Sequence, residues 1–162
     1  MQDSFTRIQE ILEKEFAIYG ELFSLSERKH KILLEKFSTE LNKIVAEEEG
    51  FVVQLIPFEE ERRSIIANLT GNPDSPVEKI FDYNCPPENQ LKIKKVSQEL
   101  KSLLFRIKEI NEGNQRLLEQ ALELTKHSLK LLTTPPKEIV YKFPGAKKSQ
   151  ALVRSRLIDK KA

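Results

Sequence analysis

Between Val96 and Leu124 side chains of one kind recur with a helical beat: Val96, Leu100, Leu103, Ile107, Ile110, Asn114, Leu117, Ala121, Leu124. The steps alternate between four and three residues, so one stripe of a helix is apolar, with Asn114 the single polar member. A second row, Leu104, Leu118, Leu122, Leu129 and Leu132, follows beside it. The spacing predicts a helix from Glu88 to about Leu132, roughly 60–65 Å long. A helix of that length cannot cover so wide an apolar stripe by itself and must pack against others.

The partners lie upstream. Residues 4 to about 36 read as one helix, with apolar side chains at Phe5, Ile8, Leu12, Phe16, Tyr19, Phe23, Leu33, Leu34 and Phe37. The pattern breaks at Phe37-Ser38-Thr39, where Ser38 or Thr39 can cap a second helix and Glu40 suits its first turn. That helix is expected to reach about Leu69, with a seam of Leu41, Val45, Glu48, Val52, Leu55, Glu59, Arg62, Ile66 and Leu69. Pro57 lies inside it, removes one backbone donor and crowds the preceding turn, so a kink or short break is expected near Leu55-Ile56-Pro57. GNPDSP at 71–76 stops the helix. Residues 77–87 are left open between a loop and one short helical turn. The expected fold class is all-α: an elongated antiparallel three-helix bundle with coiled-coil-like packing and a flexible C-terminal tail.

Composition agrees and narrows the classes. Five Gly and no Trp in 162 residues argue against a turn-rich β sandwich or a Gly-looped nucleotide fold. No stretch approaches the ~18 apolar residues of a membrane span, and the first residues lack a secretory signal's basic start and apolar core. One cysteine, Cys85, excludes an internal disulfide framework and fits a reducing compartment, so the expected location is cytoplasmic.

Charge divides the chain in two. Residues 1–134 carry 19 basic and 23 acidic side chains, net −4, whereas 135–162 carry 8 and 2, net +6. We therefore expect a bundle domain over 1–134 and a basic, partly apolar tail over 135–162. Three prolines and many charges keep such a tail from folding alone. It also holds Ile139, Val140, Tyr141 and Phe143, and then Ala151, Leu152, Val153, Leu157 and Ile158 at helical spacing. That composition belongs to a segment that orders on a partner. The candidate partner-binding residues are Tyr141, Phe143, Leu152, Val153, Arg154, Arg156, Leu157 and Ile158. For Tyr141 and Phe143, folding back on the bundle's end is an equal alternative.

Catalytic and metal constellations are not found. The sequence has no phosphate-cradling glycine loop and no Cys or His pair at ligand spacing. The runs Glu47-Glu48-Glu49 and Glu59-Glu60-Glu61 read as solvated helix faces rather than ion sites. No cofactor is expected, and no enzymatic activity.

Two stretches carry a family resemblance. The first is the string around Asn111, Asn114, Leu117 and Leu118, of the form N-x-x-N-x-x-L-L-x-x-A/S-L. The second is the tail, with Tyr141, Gly145 and the ending from Arg156 through Ala162. Both resemble the FlgN family of flagellar export chaperones, and Glu47-Glu48 and Glu61-Arg62-Arg63 fall where that family places acidic and Glu-x-x-Arg residues. Pro57 departs from its pattern. The resemblance implies a cytoplasmic type III secretion chaperone without cofactor or enzymatic activity. Such a chaperone binds the hook-associated subunits FlgK and FlgL and delivers them to the flagellar export gate, with neither nucleic acid nor stable membrane insertion involved. Apart from the resemblance, Asn114 reads either as a docking residue or, preferably, as a buried seam residue that fixes helix register; Asn111 stays open. A self-associating coiled-coil scaffold is the main rival reading, and nucleic-acid binding through the basic tail a weaker one.

Overall fold

The computed structural model describes residues 2–35 and 39–133. Three long helices occur among them: α1 (Gln2–Glu35), α2 (Thr39–Thr70) and α3 (Pro87–Thr133), with a 3₁₀ helix over Val77–Asp82 between the last two. No strand occurs among the described residues. The chain divides into two compact units, residues 1–115 and 116–162.

Contacts between side chains fix the topology of the first unit. Arg7 meets Glu61, Lys14 lies over the Phe58 ring and Lys29 meets Glu48, so numbers rise on α1 as they fall on α2. These two helices are antiparallel. Asn89 donates to Thr6, Arg106 stacks over Phe23 and Asn114 pairs with His30, so numbers on α1 and α3 rise together. α3 therefore runs parallel to α1, and α2 is the return stroke between them.

The core lies where α1 and α3 both begin. Phe5, Ile8 and Leu12 from α1 pack with Ile66 from α2, Ile80 from the 3₁₀ helix, and Ile93, Val96 and Leu100 from α3. Burying each such side chain contributes roughly 1.5–3 kcal/mol. Ile80, completely buried, gives the ambiguous segment 77–87 its purpose: the connection plugs the base of the bundle. Asn84 stands in the left-handed region at φ 56° just before α3, a conformation Asn tolerates better than most residues. Pro87 then opens α3, where its missing N–H costs nothing.

The stop at GNPDSP is where the second helix ends. Gly71 takes φ 80° and its N–H reaches the Ala67 carbonyl at 2.8 Å, a left-handed cap that glycine adopts without strain. Asn72 Oδ1 accepts from the Asp74 N–H at 2.9 Å, tightening the turn.

Three expectations need correction. Of the kink or short break expected near Pro57, the break does not occur, since α2 stays helical through it. Pro57 is exposed, and so is Val53, whose carbonyl loses its donor at a position open to solvent. The α2 seam holds at Glu48, Leu55, Arg62 and Ile66, but Val45, Val52 and Glu59 face solvent, while Ile44, absent from it, is buried. The real stripe passes through Ile44, Glu48, Phe51, Leu55, Phe58, Arg62 and Ile66, most of them at least half-buried. On α1, Leu34 is exposed, whereas Ile11, Glu15, Leu22, Leu25 and Ser26, absent from the expected row, are buried. α1 touches both neighbours and so buries a second row. Phe37 lies outside the described residues.

Candidate partner-binding surfaces and the polar seam

Asn114 is 3% exposed on α3 and both polar atoms of its amide meet α1. Its Nδ2 donates to the Ser26 carbonyl at 3.0 Å. Its Oδ1 lies 2.9 Å from His30 Nδ1. With Nδ2 committed to Ser26, Oδ1 can only accept, so His30 carries its proton on Nδ1. One turn earlier on α3, Asn111, itself exposed, accepts from the Ser26 hydroxyl at 3.0 Å. Asn111, Asn114, Ser26 and His30 thus form one polar seam between α1 and α3.

The seam works because the spacings match. Ser26 and His30 lie four residues apart on α1, and Asn111 and Asn114 three apart on α3, so each pair sits on one face. A slip of one residue between these helices would break all three bonds and strand a buried amide. Ser26 and His30 were not singled out as partners of the asparagines. The signal for them was a polar pair in phase with the apolar row of α1.

Charged residues of α2 are held by α1. Lys29 Nζ meets Glu48 Oε2 at 2.6 Å with both side chains mostly buried, and Arg28 meets Glu47 at 3.6 Å near the surface. Arg7 grips Glu61 with two nitrogens, at 2.6 and 2.8 Å. These bonds hold the Glu61 carboxyl below its usual pKa and raise that of the Arg7 guanidinium. The acidic runs are therefore partly structural. Glu15, 3% exposed, faces Arg62, and burial raises its pKa against the pull of that guanidinium. Among the described residues no three His, Cys, Asp or Glu side chains converge as a metal site. Cys85 is half-buried and burial pushes its thiol pKa up, which disfavours the nucleophilic thiolate.

In the second unit the described part is the last stretch of α3, from Arg116 to Thr133. Leu117 and Leu118 are half-buried there. Ala121, Leu122, Leu124 and Leu129 are exposed, and Leu132 is 85% exposed. The seam inferred from spacing thus continues in sequence beyond the point where the described residues bury it. Tyr141, Phe143, Leu152, Val153, Arg154, Arg156, Leu157 and Ile158, the expected partner-binding residues, lie outside the described residues. No described helix is long and apolar enough to cross a membrane.

Comparison with known proteins adds one match. Residues 1–149 fit the family model described as FlgN protein. No curated protein and no solved structure matches the chain significantly.

Proposed function

This chain belongs to the FlgN family, a family of flagellar export chaperones, and from that premise we propose that it binds the hook-associated subunits FlgK and FlgL in the cytoplasm, covers their terminal segments and hands them to the export gate. Subunits that polymerise through amphipathic terminal helices need those apolar faces covered until assembly. A chaperone for them needs an apolar surface of its own that is open before the client arrives.

The observation that carries this reading is the group of exposed leucines Leu122, Leu124, Leu129 and Leu132 on the last turns of α3, leading in sequence into the tail. Exposed leucines grouped on a soluble helix mark an interaction surface more often than chance. The tail's sequence adds Leu152, Val153, Leu157 and Ile158, while Lys147, Lys148, Arg154 and Arg156 would steer acidic partners. Four buried aliphatic side chains at roughly 1.5–3 kcal/mol each, less the cost of ordering the tail, suit a micromolar or tighter complex that can still be released.

Titration of FlgK and FlgL against the full chain and a chain lacking residues 135–162 tests the assignment. Loss of binding with helicity retained is the expected result, and unchanged affinity refutes the role of the tail. The same leucines also suit self-association, the scaffold reading. Sedimentation separates the two: a scaffold oligomerises without client, whereas a chaperone forms a defined complex with it.

A further inference from the structure

α2 carries a second apolar stripe beside the one that it buries. Val45, Val52 and Ile56 are between 38% and 50% exposed, and Val53 at their flank is 64% exposed. Steps of seven and four keep Val45, Val52 and Ile56 on one line, roughly a quarter-turn round from Ile44, Leu55 and Ile66. The helix is unbroken along this span. Two exposed charged residues share the line: Glu49, between Val45 and Val52, and Arg63, two turns beyond Ile56. Apolar groups gathered on an exposed face mark a contact surface.

The order of residues along the line indicates what covers it. Glu49 precedes Ile56 by seven residues and Arg63 follows it by seven. A second α2, laid antiparallel about a two-fold axis at Ile56, sets each Glu49 opposite the Arg63 of the other copy. The same alignment sets Ile56 on Ile56, Val52 beside the stem of Glu60, and Val45 against Ala67. An isologous contact makes each of these pairings twice, giving two ion pairs around a central aliphatic cluster. Charge also selects against neighbouring alignments. An axis at Gln54 puts Glu49 opposite Glu59, and one between Glu59 and Glu60 brings those carboxylates together. Arg63 meets Asp74 within its own chain at 2.8 Å, but both side chains are exposed, and such pairs contribute little. A guanidinium has five N–H donors and can serve a second carboxylate.

We propose that this face of α2 is a homodimer contact, with a second copy of the chain packed antiparallel about Ile56. The symmetric placing of acid and base about one isoleucine is what selects a second copy over a client or the tail. The contact closes at two copies, so it differs from the open-ended association of a scaffold. One helix pair with four aliphatic side chains from each copy makes a weak dimer, with a Kd on the order of 10 μM. The chaperone reading does not enter the argument.

The test is sedimentation velocity of the full chain over about 1 to 300 μM, where a reversible monomer–dimer equilibrium is expected. Ile56→Lys, which sets two like charges on the axis, should weaken dimerisation at least about ten-fold while circular dichroism keeps its helical signal. Glu49→Arg and Arg63→Glu should each weaken it about ten-fold, because each sets like charges opposite one another at both ends. Mixed in equal amounts, these two variants should form a heterodimer within about three-fold of the unaltered affinity, since every Arg then faces a Glu. A monomer at every concentration, as when the chain's own tail or a client covers this face, overturns the proposal. Dimerisation that Ile56→Lys leaves intact overturns the site, and failure of the mixture to recover overturns the two-fold register. Should Ile56→Lys fold poorly, the mixture still decides, since both of its changes lie at exposed positions. No flagellar subunit enters these measurements, so their failure leaves the tail-deletion test intact, and failure of that test leaves the dimer contact intact.

Discussion

Replacing Asn114 by alanine removes two hydrogen bonds, Nδ2 to the Ser26 carbonyl at 3.0 Å and Oδ1 with His30 Nδ1 at 2.9 Å. The Ser26 carbonyl keeps its ordinary bond within α1, and the half-buried His30 ring can reach water, so neither partner is fully orphaned. At a net 0.5–1.5 kcal/mol per bond, plus a small cavity, Asn114→Ala should cost about 2 kcal/mol. Asn114→Leu loses the same bonds but regains apolar burial, so it should recover at least half of that loss. What leucine cannot restore is register, because an apolar seam accepts several alignments of α1 on α3. Urea unfolding followed by circular dichroism measures the stabilities, and amide line widths report alternative alignments. A double-mutant cycle with His30→Ala isolates the shared bond, with an expected coupling of about 1 kcal/mol. Asn114→Ala costing under about 0.5 kcal/mol, together with no coupling to His30, would refute the seam as a register lock.

Three further outcomes are expected. Glu15 has a raised pKa in the fold because of burial, so its stability contribution is complete below its unfolded pKa and is lost as pH rises through the folded one. Glu15→Gln should flatten that decline in a plot of unfolding free energy against pH, while Glu61, Glu78 and Glu88, whose pKa values are lowered, keep the opposite slope on the acid side. Ile80→Ala should cost roughly 2–5 kcal/mol by chemical denaturation, since the completely buried side chain leaves a cavity among Phe5, Ile8 and Ile93. Gly113→Ala should stabilise the protein by up to about 1 kcal/mol in thermal melts, because an added Cβ meets nothing within 4 Å and alanine favours the helix.

How far the sequence disclosed this depends on the element. α3 showed its buried face at once as far as Asn114, because Val96, Leu100 and Leu103 keep an unbroken helical spacing even though Leu91, Leu104 and Phe105 are exposed. α2 showed it only in part. Val45, Val52, Val53 and Ile56 are apolar yet exposed, so two faces compete, and the spacing alone selects a seam that is right at Leu55 and Ile66 but wrong at Val45 and Val52. Ile44 rather than Val45 is buried near the start of the helix, a choice that only packing decides. Ile80 was hidden for another reason: a 3₁₀ helix of six residues is too short to show a period. The asparagines were visible as polar members of an apolar row, but Ser26 and His30 could be named as their partners only once the parallel alignment of α1 and α3 was known. The Glu15–Arg62 pair was beyond reach from the sequence, since the two residues come from different helices and meet only in the folded unit.

The parallel course of α1 and α3 bears on how the protein emerges from a ribosome. The antiparallel pair α1 and α2 can zip together as soon as Thr70 is free, since the two helices follow one another in the chain. Phe5, Ile8 and Ile66 would then stay wet until the stretch through Leu100 has been synthesised to roof them. For that interval the nascent chain is a hairpin with an open greasy mouth, at its most vulnerable to the wrong company.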